Sequence, residues 1–377
     1  MANNNKHTSP NVPALRFPEF SGEWESIKLG DVLKLKGGYA FKSEKFQDSG
    51  VPVVRISNLP QNSYSVDLSD CVYYECGNYQ NYTVKNGDLL IAMSGATTGK
   101  TAIYRYDYPA YLNQRVGLFA PKELVHNQFL YPIVESKTFI SQLGSKLVAG
   151  AQPNISSQDI ETIAVGLPSK EEQIKIAHLF ELLNQKIETQ TKIIEEHETL
   201  LKSLADKLIS SQMANMVLND CVIARASTMK EGELEPSGVY PVFGASGLCG
   251  YSNEALEESD SILVTKDGSG VGTCQYATGA HSFLGTLCSL TVKEGVYLPY
   301  VYYALLNFNF ALFKTGLAIP HIYFKDYGKA VIYCPSYDEQ VRIASGLEKI
   351  EAKIKSDKEL LKLYQLQKEY LLSRMFI

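Results

Sequence analysis

The sequence predicts an α+β protein: two globular mixed α/β domains, each followed by a long helix, with the two helices paired as an antiparallel coiled coil. Three observations carry that prediction. Residues 150–187 and 316–354 repeat one another: Pro153 matches Pro320, Ile155 matches Ile322, Asp159 matches Asp326 and Pro168 matches Pro335. The register continues through Glu172/Glu339, Gln173/Gln340, Ile176/Ile343, Ala177/Ala344 and Ile187/Ile354. Each matched stretch runs into a heptad pattern, and each is preceded by short β-like runs bounded by turn residues.

In chain order, residues 1–12 begin MANNNKHTSP, which is polar, lacks an apolar signal core and reads as a loose, disordered tail. The first globular segment spans 13–167, with β-like runs at 51–59 (VPVVRISNL), 87–95 (GDLLIAMSG) and 115–121 (RVGLFAP). Residues 129–147 read as helical. A long helix occupies most of 168–212. Ser169 is its expected N-cap, with Glu172 reaching back in a capping box, and Ser336 with Glu339 repeats the device. Pro168 and Pro335 suit an extended chain entering each helix. The apolar seam runs Ile176, Phe180, Leu183, Ile187, Ile194, Leu201, Leu204, Leu208. Its counterpart over 335–377 runs Ile343, Leu347, Ile350, Ile354, Leu361, Leu371. Alternating steps of four and three favour a coiled coil, and a helix of this length makes a rod of roughly 60 Å. Gln190/Asp357 and His197/Tyr364 interrupt the seam as register devices. The pairing is expected to be antiparallel because a second globular segment, 213–334, intervenes; two unrelated helices packed on their own domains remain the alternative. That segment has β-like runs at 258–268 and 287–295 and a helical run at 298–316. The offset between copies falls from 189 residues at Leu29/Leu218 and Pro52/Pro241 to 167 in the helices, so the second copy lacks about a loop's worth of chain.

The bulk numbers exclude several classes. At 377 residues, 45% hydrophobic and 20% charged, the composition is that of a globular protein, and no apolar run is long enough for a membrane span. Seven scattered cysteines without a CxxC pair read as reduced thiols in a cytoplasmic protein, with no metal site and no disulfide frame. Net charge is −5, with 15 basic against 15 acidic residues over 1–167 and 7 against 11 over 213–334. Nucleic acid, if bound, would need a local patch or a more basic partner. SGATTGKT (94–101) has only three residues between Gly95 and Gly99, one short of a Walker loop, and DGSGVGT (267–273) is no dinucleotide fingerprint; both read as Gly-rich turns. No catalytic constellation is present. What remains is a binding inventory in or beside loops: Arg55, Asn58, Lys100, Arg105, Asn113, Gln114 and Arg115 in the first copy. Lys266, Gln275, His281, Lys314, His321, Tyr323 and Lys325 are its members in the second. Arg, Asn and Gln suit base edges, and Lys suits phosphate.

The arrangement resembles the specificity subunit of a type I restriction–modification system. The residues that carry the resemblance are EFSGEWESIKLGDV (19–32), VPVVRISNL (51–59), DLLIAMSGATTGK (88–100), and the matched stretches 152–177 and 319–344. The resemblance implies a non-catalytic, sequence-specific DNA-binding subunit. Residues 13–167 and 213–334 would be target-recognition domains, each reading one half of a bipartite site in double-stranded DNA. The helices would set the spacing and dock two methyltransferase subunits. Restriction/translocase subunits complete the implied complex, with S-adenosylmethionine and ATP on the partners and no cofactor on this chain. The alternative from another class is a coiled-coil scaffold that does not touch DNA.

Overall fold

A computed structural model describes residues 11–60, 64–147, 154–316 and 319–377. Residues 1–10 of the expected tail, and Gly150–Pro153, Leu317 and Ala318 of the repeat, lie outside the described residues. At Asn11 the chain is already tied down, because the Trp24 amide donates to its carbonyl (2.7 Å). The expected loose tail is therefore too long at its described end. The chain divides into two compact units, 1–191 with 360–377, and 192–359. Both long helices cross that division, so unit 1 is built from two separate stretches of sequence and unit 2 is the continuous stretch between them.

In unit 1 the strands are β1 (Glu25–Lys28), β2 (Leu33–Gly37), β3 (Val51–Val54), β4 (Val72–Tyr74), β5 (Thr83–Val84), β6 (Leu89–Ala92), β7 (Thr101–Ile103), β8 (Ala110–Leu112), β9 (Val116–Pro121) and β10 (Ala164–Leu167). They form a β2-β9-β6-β7 sheet, a β4-β3-β8-β5 sheet and a β1-β10 ribbon. The helices are α1 (Leu29–Val32), α2 (Leu130–Glu135), α3 (Lys137–Leu147), α4 (Ser157–Glu161) and α5 (Lys170–Ala205). In unit 2 come β11 (Met216–Val217), β12 (Val222–Ala226), β13 (Tyr240–Gly244), β14 (Gly247–Ser252), β15 (Ser261–Thr265), β16 (Cys274–Ala277), β17 (Ser282–Phe283), β18 (Leu287–Val292) and β19 (Val331–Ile332). With them are α6 (Leu218–Cys221), α7 (Leu298–Leu306), α8 (Phe324–Tyr327) and α9 (Tyr337–Arg374). Their sheets are β12-β18-β15-β16, β14-β13-β17 and β11-β19. Strand for strand, this is the unit 1 order without a counterpart of β5. Most of the shortening read from the sequence therefore falls between β3 and β6. The β-like runs at 51–59, 87–95, 115–121, 258–268 and 287–295 contain β3, β6, β9, β15 and β18.

The two long helices run antiparallel. In unit 2, Leu201, Ala205 and Ile209 share a core with Ile343, Ala344, Leu347 and Ile354. His197 Nδ1 lies 3.1 Å from Asp357 Oδ2, and Lys353 donates to Asp357 Oδ1 (2.8 Å). In unit 1, Lys186 sits over the Tyr364 ring, and Phe180 packs with Phe376. Residue numbers rise on one helix as they fall on the other. Of the expected seam, Ile176, Phe180, Leu183, Ile194, Leu201, Ile343, Leu347 and Ile354 are buried, while Ile187, Leu204, Ile350, Leu361 and Leu371 are half-buried. Leu208 departs from the pattern: it is 38% exposed, and Ile209 is 2% exposed in its place. The cause is a π-helical turn at Asp206–Ser210. A π turn accommodates an extra residue, which rotates the next apolar position onto the neighbouring residue.

The entry to α5 is half of the expected capping box. The Glu172 amide donates to Ser169 Oγ (3.4 Å), but the Glu172 carboxylate does not return to the N-cap. It is buried and accepts two 2.7 Å bonds from Arg16. That pairing raises the Arg16 guanidinium above its usual value. The matched glutamines explain themselves in space. Gln173 Nε2 donates to the carbonyls of Pro168 (2.9 Å) and Leu124 (3.3 Å), and its Oε1 accepts from the His126 amide (2.8 Å). Gln340 does the same with Pro335 (2.9 Å), Gly295 (3.4 Å) and the Tyr297 amide (2.9 Å).

Candidate functional site

The same backbone scaffold surrounds both repeated Gly-rich turns. In unit 1 the turn connects β6 to β7, with Gly95 and Gly99 at φ +84° and +87°; in unit 2 it connects β15 to β16, with Gly268 and Gly272 at +95° and +91°. Positive φ is the conformation glycine adopts without a Cβ clash. Each turn closes by matching bonds: Ala92 N to Lys100 O (2.8 Å) and Thr265 N to Thr273 O (2.9 Å). The residue after each strand then ties in a second loop, Met93 N to Arg115 O (2.9 Å) and Lys266 N to Thr286 O (2.9 Å). A third segment arrives through Ile155 N to Met93 O (2.8 Å) and Ile322 N to Lys266 O (2.9 Å). A fourth bond anchors the second loop to the neighbouring sheet, Asn113 N to Val54 O (3.0 Å) and Leu284 N to Phe243 O (2.9 Å). The Ile155/Ile322 match of the sequence is thus a shared hydrogen bond.

On that common frame the side chains differ. Arg115 corresponds to Thr286, Lys100 to Thr273 and Met93 to Lys266. Backbone bridges Ser94–Asn154 and Asp267–His321 make Asp267 the counterpart of Ser94 and His321 that of Asn154. In unit 1 these segments line an open cleft of about 590 Å³ bounded by Ser94, Gly95, Gln114, Arg115, Asn154 and Ile155. Gly38 is needed beside it: a Cβ there would lie 2.1 Å from the Asn113 carbonyl oxygen, so a side chain would push the 113–115 loop away.

The nominated side chains fall into two groups. Several are committed to the fold. Asn58 is buried, accepting from the Arg55 amide (2.9 Å) and donating to the Asp67 carbonyl (2.9 Å). Arg55 donates to the Asp70 carbonyl (3.1 Å). Arg105 pairs with Glu181 on α5 (2.5 Å) and lies over the Tyr64 ring. Gln275 donates to the carbonyls of Gly244 (2.9 Å) and Ala245 (3.2 Å). His281 is fully buried between Ser261 Oγ (2.9 Å) and the Gly279 carbonyl (2.8 Å). For Asn58 and His281, burial removes the side chain from any surface ligand, and the expectation that they contact one is corrected. The second group is accessible. Gln114 and Arg115 are exposed at the unit 1 cleft, with Asn113 half-buried beside them and Lys100 half-buried on the turn. In unit 2, Tyr323 and Lys325 are exposed, with the Lys325 ammonium 5.2 Å from the Tyr323 ring centroid. His321 packs against Tyr323, and Lys266 is half-buried on the adjoining turn. Lys314 is exposed at a separate cleft of about 440 Å³ lined by Phe308 and Phe310. Ser94 and Asn154 were not nominated from sequence, although they sit at matched positions of the repeat.

All seven cysteines are free thiols, and burial pushes Cys274 up to about 12. Among the described residues no group of three or more His, Cys, Asp or Glu side chains is placed to hold a metal, and no helix is long and apolar enough to cross a membrane.

Comparison with known proteins agrees with this duplicated architecture. The family model described as "Type I restriction modification DNA specificity domain" matches twice, over residues 21–199 and 212–363. The MjaVIII type I restriction enzyme specificity subunit of Methanocaldococcus jannaschii is 29% identical over 207 residues, covering 53% of this chain and 49% of the relative. The EcoAI specificity subunit of Escherichia coli is 30% identical over 193 residues, covering 49% of this chain and 32% of the relative. The chain thus spans about half or less of the length of these two curated relatives. The crystal structure of a type I restriction–modification S subunit from M. genitalium aligns with a TM-score of 0.67 at 18% identity, covering 97% of this chain and 99% of that one. With the family model matching most of the sequence and the same fold in a solved S subunit, the chain belongs to the type I restriction–modification DNA specificity domain family, of which it carries two copies.

Proposed function

We propose that this chain is the sequence-specific DNA-binding specificity subunit of a type I restriction–modification complex. On this reading it recognises a bipartite target and docks two methyltransferase subunits, with restriction subunits joining them. The observation that carries the proposal is one loop scaffold built twice with different side chains on it. Two readers of two different half-sites require a constant frame and variable tips, and a scaffold protein without a DNA target does not. Residues 13–167 and 213–334 act as the target-recognition domains, and the helices of 168–212 and 335–377 act as spacer and docking surface. The chain is non-catalytic and works in the cytoplasm; S-adenosylmethionine and ATP bind on the partner subunits. Its net charge of −5 is in keeping with partners that supply part of the phosphate contact.

Replacing residues 13–165 with the corresponding domain of another family member tests this directly. Mapping methylated adenines in cells that express the hybrid complex should show one half-site changed, with the other half and the spacer kept. A motif altered in both halves, or in neither, overturns the assignment of one domain to one half-site.

A further inference from the structure

We infer that the unit 1 cleft is a base-reading site in which the Arg115 guanidinium recognises the major-groove edge of a guanine; this rests on the function proposed above. Three arginines stand in the nominated loops of this unit, and the structure separates them. Arg55 is held by the Asp70 carbonyl and Arg105 by Glu181. Arg115 is exposed, and among the described residues its guanidinium makes no hydrogen bond or ion pair. Its backbone, by contrast, is fixed. The Arg115 carbonyl accepts from Met93, and two residues earlier the Asn113 amide donates to Val54. A free fork on an immobile stem loses little backbone freedom on binding, which favours specific contact over loose charge attraction.

The chemistry of the cleft agrees. Arginine pairs in bidentate fashion with guanine O6 and N7, whereas glutamine and asparagine suit adenine, and Gln114 and Asn154 line the same cleft as Arg115. At the same cleft Ser94 is 9% exposed, and its Oγ has no hydrogen-bond partner among the described residues. An unmet polar group at a polar cleft is a mark of a site completed by water or ligand. Unit 2 places Thr286, Asp267 and His321 at the positions of Arg115, Ser94 and Asn154. The guanine contact therefore belongs to the half-site of unit 1 alone.

The test uses the full chain co-expressed with its methyltransferase. Methylated motifs are mapped in cells, and the purified complex is titrated with duplexes that vary each target position through the four bases. Arg115→Ala should relax one position of one half-site, lowering the preference for guanine there by on the order of tenfold to a hundredfold. Arg115→Gln should move that preference toward adenine, and Arg115→Lys should retain guanine. An unchanged motif in Arg115→Ala and Arg115→Gln overturns the inference and leaves the proposed function standing. A uniform loss of affinity at every position, with an unaltered thermal melt, also overturns it, because it marks a phosphate contact. A wild-type complex with no sequence-dependent binding overturns the function and the inference together.

Discussion

Gln173 and Gln340, in the first turns of α5 and α9, each satisfy carbonyls and an amide of the segments that precede those helices. Both are buried, so truncation exposes nothing to water that could compensate. Each orphaned buried group costs about 1–3 kcal/mol. Gln173→Ala and Gln340→Ala should each lower the melting temperature by several degrees, and calorimetry should show the loss in each variant. A melt unchanged by either substitution would remove the tie from the account of stability. The repeat identified these two positions in the sequence, but not their role, which joins the nearby Pro168 and Pro335 carbonyls to amides and carbonyls more than forty residues away. The binding inventory met the same limit. Asn58, Gln275 and His281 have the chemistry of base readers and occur near turns, yet their donors and acceptors are used within the fold. Arg115 has the same chemistry, and among the described residues its guanidinium has no partner. Whether a polar side chain is occupied at home is decided by the folded path of the chain, through near partners for Asn58 and a segment thirty-one residues away for Gln275, and residue type alone does not encode it.

Among the elements, the long helices were the most legible, since a heptad pattern is a direct imprint of a buried stripe. Their antiparallel pairing also follows from the sequence, and the polar seam positions have partners: Asp357 accepts from Lys353 and faces His197. The place where the pattern misleads is the π turn at Asp206–Ser210. A strict count of four and three assumes unbroken α geometry, and nothing local in DKLIS announces the extra residue. Substitutions should separate the two frames. Ile209→Ala should cost about 2–5 kcal/mol as a core truncation. Leu208→Lys should stay within about 0.5 kcal/mol of the parent. Chemical denaturation of both variants checks this, and a reversed order of stability would restore the uninterrupted heptad.

For the whole molecule, the duplication is both the best-read feature of the sequence and the basis of the proposed function. Sheet order repeats across the two units, and most of the chain lost from the second copy falls between β3 and β6, where the counterpart of β5 is missing. On the proposed reading the helices act as a ruler. Inserting a whole number of helical turns near residues 205–212 should lengthen the spacer of the methylated motif and leave its half-site letters unchanged. Sequencing of modified adenines in the host checks this prediction. Altered letters with a constant spacer would contradict the ruler.

The core of unit 1 also has a temporal side. Leu372 and Met375 are buried in one cluster with Trp24, Phe129 and Phe180, and Phe376 and Ile377 pack against it. A ribosome adding about 5–20 residues per second needs roughly ten to forty seconds to travel from residue 191 to the end of this sequence. Throughout that interval the first half of the nascent chain has an apolar socket waiting for its plug. A message truncated between residues 191 and 360 therefore leaves even the earlier-made lobe unsealed, its apolar socket exposed to chaperones and proteases.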